Sequence, residues 1–172
     1  TEAYRNRVIQ LGEQPERVFN VGALGVENVV KNDFMSKEDI ESSLNFKLTD
    51  KCFLCTYHPV TLSNMSSEVQ VLNLLEALDG YKDYHIIFTY SNSDTNSQII
   101  IKRIQEYVDK NADRCMFIPS LGQRRYFSAL KYMTAVLGNS SSGIIEVPSF
   151  GIPTLDIGER QKGRIAADSV FH

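Results

Sequence analysis

The segment 138–148 holds the residues whose types and spacing are best suited to chemistry. Ser140, Ser141 and Ser142 stand between an apolar run that predicts a strand end and a short apolar segment that predicts a helix. At such a turn, backbone N–H groups and hydroxyls converge where the helix dipole is positive, which suits a phosphate or another anion. Glu146 is placed to accept hydrogen bonds from sugar hydroxyls. The serines could equally serve as helix caps, and the turn alone does not decide between the two.

A second segment, 151–164, shifts the balance toward ligand binding. It predicts another apolar strand, which ends in a loop that carries the cations Arg160, Lys162 and Arg164. One strand end with an anion-binding turn and the next with three cations together indicate a single phosphate-rich ligand.

Three more candidate residues lie at or just after the ends of predicted strands. His58 precedes Pro59, which keeps it out of helical geometry, and it could donate to a phosphate or act as an acid or base. An ordinary surface histidine is the alternative. Asn92 is a candidate ligand contact, and the backbone of Ile118 could contact a nucleobase edge although its side chain would be core. His85 begins a strand and is predicted to be structural, at the opposite edge.

Strands and helices alternate along the chain with short connections. This pattern predicts an α/β fold with a Rossmann-like parallel sheet and helices on both faces, in which all strands end at one edge. The predicted strands are 17–22, 52–57, 85–90, 115–119, 135–137 and one from 151. The predicted helices are 2–11, one that starts with Ser36 as its cap, 69–78, 99–108 and 126–133.

Bulk composition excludes several classes of function. The 172 residues suffice for one well-packed domain, and 18 Lys and Arg against 21 Asp and Glu give a net charge of −3, which argues against a general nucleic-acid or membrane-binding surface. No run is long enough for a membrane span, and no signal peptide is visible. Cys52 and Cys55 have metal-pair spacing but lie in a predicted buried strand, so we expect structural thiols, a cytosolic location and neither metal nor other cofactor.

Four motifs together resemble one family. The chain is similar to the C-terminal half of the hydrolysing UDP-N-acetylglucosamine 2-epimerases, which make N-acetylmannosamine and UDP for bacterial sialic-acid biosynthesis. The non-hydrolysing branch carries an Asp-Ser-Gly-Gly turn where this chain has Asn-Ser-Ser-Ser-Gly. The matching motifs are Val21-Gly22-Ala23-Leu24-Gly25, Tyr57-His58-Pro59-Val60-Thr61, Gly138-Asn139-Ser140-Ser141-Ser142-Gly143 with Glu146, and Gly158-Glu159-Arg160-Gln161-Lys162-Gly163-Arg164.

The resemblance implies a two-domain glycosyltransferase-B architecture with UDP and its sugar in the cleft between the domains. It implies that Ser140 and Ser141 hold the diphosphate, and that Glu146 binds the ribose. The backbone of Ile118 would bind uracil, and three further side chains would face the diphosphate or the sugar: His58, Asn92 and Arg160. The implied reaction eliminates UDP to a glycal and then adds water with inversion at C2, using acidic residues of the N-terminal domain.

The resemblance also implies a division of the chain. Residues 1–16 would be the end of the N-terminal domain or a linker, and 17–172 the UDP-binding domain without its closing helices. Such a fragment should be inactive alone, and its parent a homo-oligomer. A stand-alone nucleotide-sugar binding module and the donor half of a glycosyltransferase remain alternatives, although the loop 160–164 favours the epimerase. The sugar, N-acetylglucosamine or a diacetylated bacillosamine, stays open.

Overall fold

Six strands and seven α-helices alternate along the part of the chain that the computed structural model describes, residues 1–60, 65–91 and 96–172. The strands are β1 Cys52–Thr56, β2 His85–Thr89, β3 Cys115–Ile118, β4 Ala135–Gly138, β5 Thr154–Asp156 and β6 Val170–Phe171. The helices are α1 Glu2–Gln10, α2 Leu24–Val30, α3 Lys37–Leu44, α4 Ser67–Leu78, α5 Ser97–Lys110, α6 Gly122–Leu130 and α7 Ser142–Ile145. Two short 3₁₀ segments, Pro15–Arg17 and Val147–Phe150, complete the order.

All strand pairs are parallel, and the sheet order is β3-β2-β1-β4-β5-β6. The chain builds outward from β1 to β3, then returns to place β4 on the other side of β1. This is the doubly wound order, and ligands bind such sheets beside the strand pair where the winding direction reverses. The predicted fold class is therefore confirmed, and the reversal lies between β1 and β4.

Each face of the sheet is covered by helices because alternate residues of the buried strands point to opposite sides. Cys55 packs in a core cluster with residues of α4 and α5, whereas Cys52 and Leu54 pack in a second cluster with residues of α3 and α6. The two thiols of the Cys-x-x-Cys spacing thus face different cores. Both thiols are free and buried, as predicted, and burial raises the pKa of both to about 12.

Local signals for element ends are mostly confirmed. Ser36 caps α3 through a hydrogen bond that its hydroxyl accepts from the N–H of Asp39, 3.1 Å long. His85 lies at the amino end of β2 and its Nδ1 is 2.8 Å from the carbonyl oxygen of Lys47, as expected of a structural histidine. Of the serines that could cap the helix after β4, Ser141 is at the N-cap position of α7 but makes no side-chain capping bond.

The strand predicted over 17–22 is wrong. The segment contains the end of a 3₁₀ turn and then irregular chain, and the side chains of Phe19 and Val21 are each 75% exposed. Alternating apolar residues make a strand only where a neighbouring strand takes up the backbone hydrogen bonds, and none pairs there in the described structure. The sequence patterns also missed α2 and β6. Among the described residues, no helix has both the length and the apolar character to cross a membrane.

Candidate functional site

A cleft of about 600 Å³ opens at the carboxyl edge of the sheet, beside the β1–β4 reversal. Residues after β1, β2, β3 and β4 line it, and α2 contributes Gly25. Of the residues predicted to bind a ligand, the lining includes His58, Ser140 and Glu146. The strand topology thus brings together side chains that are up to 88 positions apart in the sequence.

His58 is buried, with 5% of its surface exposed, so the alternative of an ordinary surface histidine is wrong. The side chain of Asn139 binds both the N–H and the carbonyl oxygen of His58 and so fixes the backbone of His58. Asn139 Oδ1 accepts from the N–H of His58 at 2.7 Å, and Asn139 Nδ2 donates to the carbonyl oxygen of His58 at 2.8 Å. The end of β1 is therefore attached to the end of β4 at the point where the cleft begins.

The backbone of Asn139 is fixed as well. Its N–H donates to the carbonyl oxygen of Thr56 at 3.2 Å, and its own carbonyl accepts from Arg160 Nη1 at 3.1 Å and Gln161 Nε2 at 2.8 Å. Gly138, just before it, has φ +123°, and a Cβ there would lie 2.0 Å from the carbonyl oxygen of Thr56. Only glycine permits this close approach of β4 to β1.

The serine turn leaves its donors available. Ser141 occupies the N-cap position of α7 without making a side-chain capping bond. The backbone N–H groups of Ser140 and Ser141 donate to no other residue that the structure describes. Capping would instead satisfy N–H groups of the first helical turn, and of these the Ser142 N–H donates to the Ser140 hydroxyl at 3.4 Å. Half-buried donors without acceptors at the rim of a cleft are suited to an anionic ligand.

Glu146 faces the cleft from the other side of the turn. Burial raises the pKa of its carboxyl, and interaction with the Ser142 hydroxyl opposes the rise. Its Oε2 is buried and has no hydrogen-bond partner among the described residues. Gly25 of α2 packs against this carboxylate so closely that a Cβ on Gly25 would lie 2.1 Å from Oε1. A buried acceptor of this kind calls for a donor from a ligand, such as a hydroxyl.

Tyr126 supports the same carboxylate from behind. Its hydroxyl lies 2.5 Å from the Ser142 hydroxyl, which in turn interacts with Glu146. Burial raises the pKa of Tyr126 to about 12, so the phenol is protonated at neutral pH. A neutral hydrogen-bonded pair thus lies beside Glu146, whose Oε2 has no hydrogen-bond partner among the described residues.

The other predicted residues lie at or beyond the rim. Ser141 and Arg160 neighbour the lining residues, and Arg160 reaches the serine turn through its bond to Asn139. Ile118 is half-buried in core contacts and its carbonyl accepts from the N–H of Tyr90 at 3.2 Å, while Pro119 and Ser120 after it line the cleft. Asn92 lies outside the described residues.

Sequence reasoning missed Asn139, Tyr126 and Gly25. Asn139 and Gly25 each stood inside a motif, but nothing in the motif distinguished a residue that fixes the backbone from one that contacts a ligand. Tyr126 counted only as part of a helical stripe. No local signal marks a tyrosine whose hydroxyl meets a serine 16 residues later.

Fold and cleft together define a doubly wound α/β domain with its candidate site where the winding direction reverses. The chain belongs to the UDP-N-acetylglucosamine 2-epimerase family, whose model matches residues 1–172. It is 41% identical, over 171 residues, to the GDP/UDP-N,N'-diacetylbacillosamine 2-epimerase (hydrolyzing) of Campylobacter jejuni. This match covers 99% of this chain and 44% of that protein. It is also 41% identical, over 172 residues, to the polysialic acid biosynthesis protein P7 of Escherichia coli, covering 99% of this chain and 43% of that protein.

Solved structures of the same family share the fold. The Methanocaldococcus jannaschii UDP-GlcNAc 2-epimerase in complex with UDP-GlcNAc and UDP superposes with a TM-score of 0.66 at 19% identity, covering 94% of this chain and 46% of that one. The S. aureus MnaA–UDP co-structure gives a TM-score of 0.64 at 19% identity, covering 95% of this chain and 44% of that one. The chain thus spans less than half the length of the relatives it matches.

Proposed function

We propose that this chain is the UDP-binding domain of a hydrolysing UDP-sugar 2-epimerase, with residues 17–172 as the domain and 1–16 as the end of a preceding domain or linker. The observation that carries the proposal is the pairing of two kinds of unsatisfied group at one cleft. Within the part of the chain that the structure describes, the N–H groups of Ser140 and Ser141 have no acceptor and Oε2 of Glu146 has no donor. A nucleoside diphosphate supplies both partners, since its phosphates accept and its ribose donates.

The remaining site residues fit the same ligand. Arg160 uses one donor on Asn139, so the rest of its guanidinium can bind the diphosphate, and the buried His58 contacts the phosphate or the sugar. A ligand contact from Asn92, which lies outside the described residues, stays a prediction. The backbone near Ile118 contacts the uracil at the rim formed by Pro119 and Ser120.

The reaction we propose for the whole enzyme is elimination of UDP followed by addition of water at the sugar. Two relatives whose names include "hydrolyzing" act, by those names, on N,N'-diacetylbacillosamine nucleotides, whereas the 26% identical Neisseria meningitidis relative is named a UDP-N-acetylglucosamine 2-epimerase. We therefore propose a UDP-linked N-acetylated hexosamine as substrate and a partner domain that supplies the acid–base groups. A cytosolic location and a homo-oligomeric parent stay predictions.

A nucleotide titration tests the proposal. We expect UDP to bind the chain with a Kd in the range from about millimolar to high micromolar, because half a cleft buries only part of the ligand. The amide signals of Ser140, Ser141 and Glu146 should move in NMR spectra. AMP serves as the control, and equal binding of AMP at this site would contradict the assignment.

An activity assay separates the domain from the whole enzyme. The chain should release no N-acetylmannosamine from UDP-N-acetylglucosamine, because general acid–base catalysis needs a group within hydrogen-bond reach of the C2 proton. Turnover by the purified chain would show that the acid–base groups lie within it. A chain that binds sugar nucleotides but acts in no enzyme would instead be the binding module, and a full-length gene product that transfers the sugar would be a glycosyltransferase.

A further inference from the structure

Asn139 is completely buried, and each of its polar groups has a hydrogen-bond partner. It lies just after β4, and its partners lie at the end of β1 and in the loop after β5. We propose that Asn139 is a positioning residue for His58, and that Gln161 and Arg160 act on His58 through it. The inference rests on the proposed function only in treating His58 as a group that faces the ligand.

The contact between Asn139 and His58 is suited to fixing a direction. The amide of Asn139 bonds both the N–H and the carbonyl oxygen of His58, so it pairs with that residue as a neighbouring strand would. The backbone of His58 is thereby held on both sides of its Cα, and Pro59 restricts it further. The imidazole leaves this fixed backbone at the wall of the cleft.

Asn139 is itself held from the loop after β5. Its carbonyl accepts two donors, Arg160 Nη1 and Gln161 Nε2, and Gln161 is only 2% exposed. The loop that carries the predicted phosphate-binding cation and the strand end that carries His58 therefore share one anchor. A shift of either Arg160 or Gln161 changes the position of Asn139, and with it the position of His58.

The N139D variant tests the clamp with almost no change in shape. Once ionised, its carboxyl can still accept from the N–H of His58 but can no longer donate to the carbonyl oxygen, so spectra are recorded over a range of rising pH. We expect the imidazole signals of His58 in ligand-free NMR spectra to move, and the Kd for UDP to rise about tenfold, the scale of one lost buried hydrogen bond. Only three histidines are present, so these signals can be resolved.

Acidification gives this variant an internal rescue. A protonated carboxyl offers one O–H donor and one acceptor, as the amide does. Groups beside the clamp, His58 and Arg160 in the chain and the phosphates of UDP, are titratable or charged, so each measurement is taken as the ratio of variant to unsubstituted chain at the same pH. That ratio should approach one as the pH falls. A loss that does not come from the missing donor would not be restored in this way, and the His58 imidazole signals, rather than stability, report positioning.

Two further variants keep the test decisive if N139D folds poorly. Q161M removes a donor to Asn139 and also the buried Oε1, which has no partner among the described residues, so its stability cost should be small. We expect it to move the His58 signals in the same direction as N139D. N111D is the matched control, because Asn111 also bonds a backbone carbonyl and an arginine, but at the opposite edge of the sheet.

The outcomes separate the two proposals. If N139D and Q161M move the His58 imidazole signals no more than N111D does, Asn139 is a structural residue and the inference is overturned. If UDP fails to bind the unsubstituted chain, the proposed function fails, while the ligand-free spectra still decide whether Asn139 positions His58.

Discussion

The two walls of the cleft differ in how far their hydrogen bonds are satisfied. In the clamped wall His58 lines the cleft, Gly138 and Asn139 pack behind it, and Asn139 has a partner for each polar group. The open wall, formed by Gly25, Ser142 and Glu146, keeps a buried carboxylate oxygen without a partner among the described residues. The difference indicates that the clamped wall sets the geometry in advance, whereas the open wall is completed by the ligand.

The largest effect is expected on the clamped wall. G138A should lower the free energy of unfolding by about 3–5 kcal/mol, because it combines a left-handed φ with a Cβ 2.0 Å from a backbone oxygen of Thr56. Chemical denaturation measures the loss. G151A is the control, since Gly151 has φ +68° but open space at its Cβ, and it should lose only about 1–2 kcal/mol. Equal losses would show that the approach of β4 to β1 is not what requires glycine.

The next effect concerns the link between the loop after β5 and the clamped wall. R160A should weaken UDP binding by about 1.5–3 kcal/mol and flatten its dependence on salt, because a charged fork of donors is lost. Thermal stability should fall little, since Gln161 still donates to the same carbonyl of Asn139. R164A is the control on an exposed cation of the same loop. A large fall in melting temperature with unchanged affinity would make Arg160 a structural residue.

A substitution in the open wall should weaken ligand binding without lowering stability, unlike G138A in the clamped wall. E146Q should weaken UDP binding about five- to tenfold by removing charge-assisted bonds to the ribose. It should leave stability at neutral pH unchanged or slightly higher. The folded-state pKa of Glu146 is raised by burial, so its charged form costs stability above that pKa, and the cost disappears as the pH falls below the unfolded value.

Stability curves of the two proteins against pH measure this cost directly. The curves for E146Q and the unsubstituted chain should converge on acidification and separate as the pH rises through the folded-state pKa. If E146Q loses stability at neutral pH, Glu146 belongs with the satisfied groups, and the contrast between the walls is wrong.

The same contrast explains how much could be predicted from the sequence. Strand–helix alternation was enough for the parallel sheet, and strand ends were enough to bring His58, Ser140 and Glu146 to one cleft. Those predictions depend on local periodicity and on the rule that parallel strands end at one edge. The clamp of Asn139 on His58 joins residues 81 positions apart, and no local pattern encodes such a contact. The strand predicted from apolar alternation over 17–22 does not form, because no strand of the described structure lies beside it to take up its backbone hydrogen bonds.

The smallest effect tests whether the open wall is held from behind. Y126F removes the hydroxyl that meets Ser142, and the freed Ser142 hydroxyl should then orient Glu146 less strictly. We expect a loss of about 0.5–1 kcal/mol in UDP affinity, the value of one neutral hydrogen bond. Y132F is the control, since Tyr132 packs against the same core cluster but does not line the cleft.

A double-mutant cycle decides whether Tyr126 acts through Glu146. In the E146Q background the effect of Y126F on UDP affinity should largely disappear, because the carboxylate that Ser142 orients is no longer there. Because burial keeps the Tyr126 phenol protonated up to a pKa of about 12, the coupling should not change between pH 6 and 9. Additive losses would mean that Tyr126 contributes to binding independently, and the open wall would then be a set of separate contacts rather than one supported carboxylate.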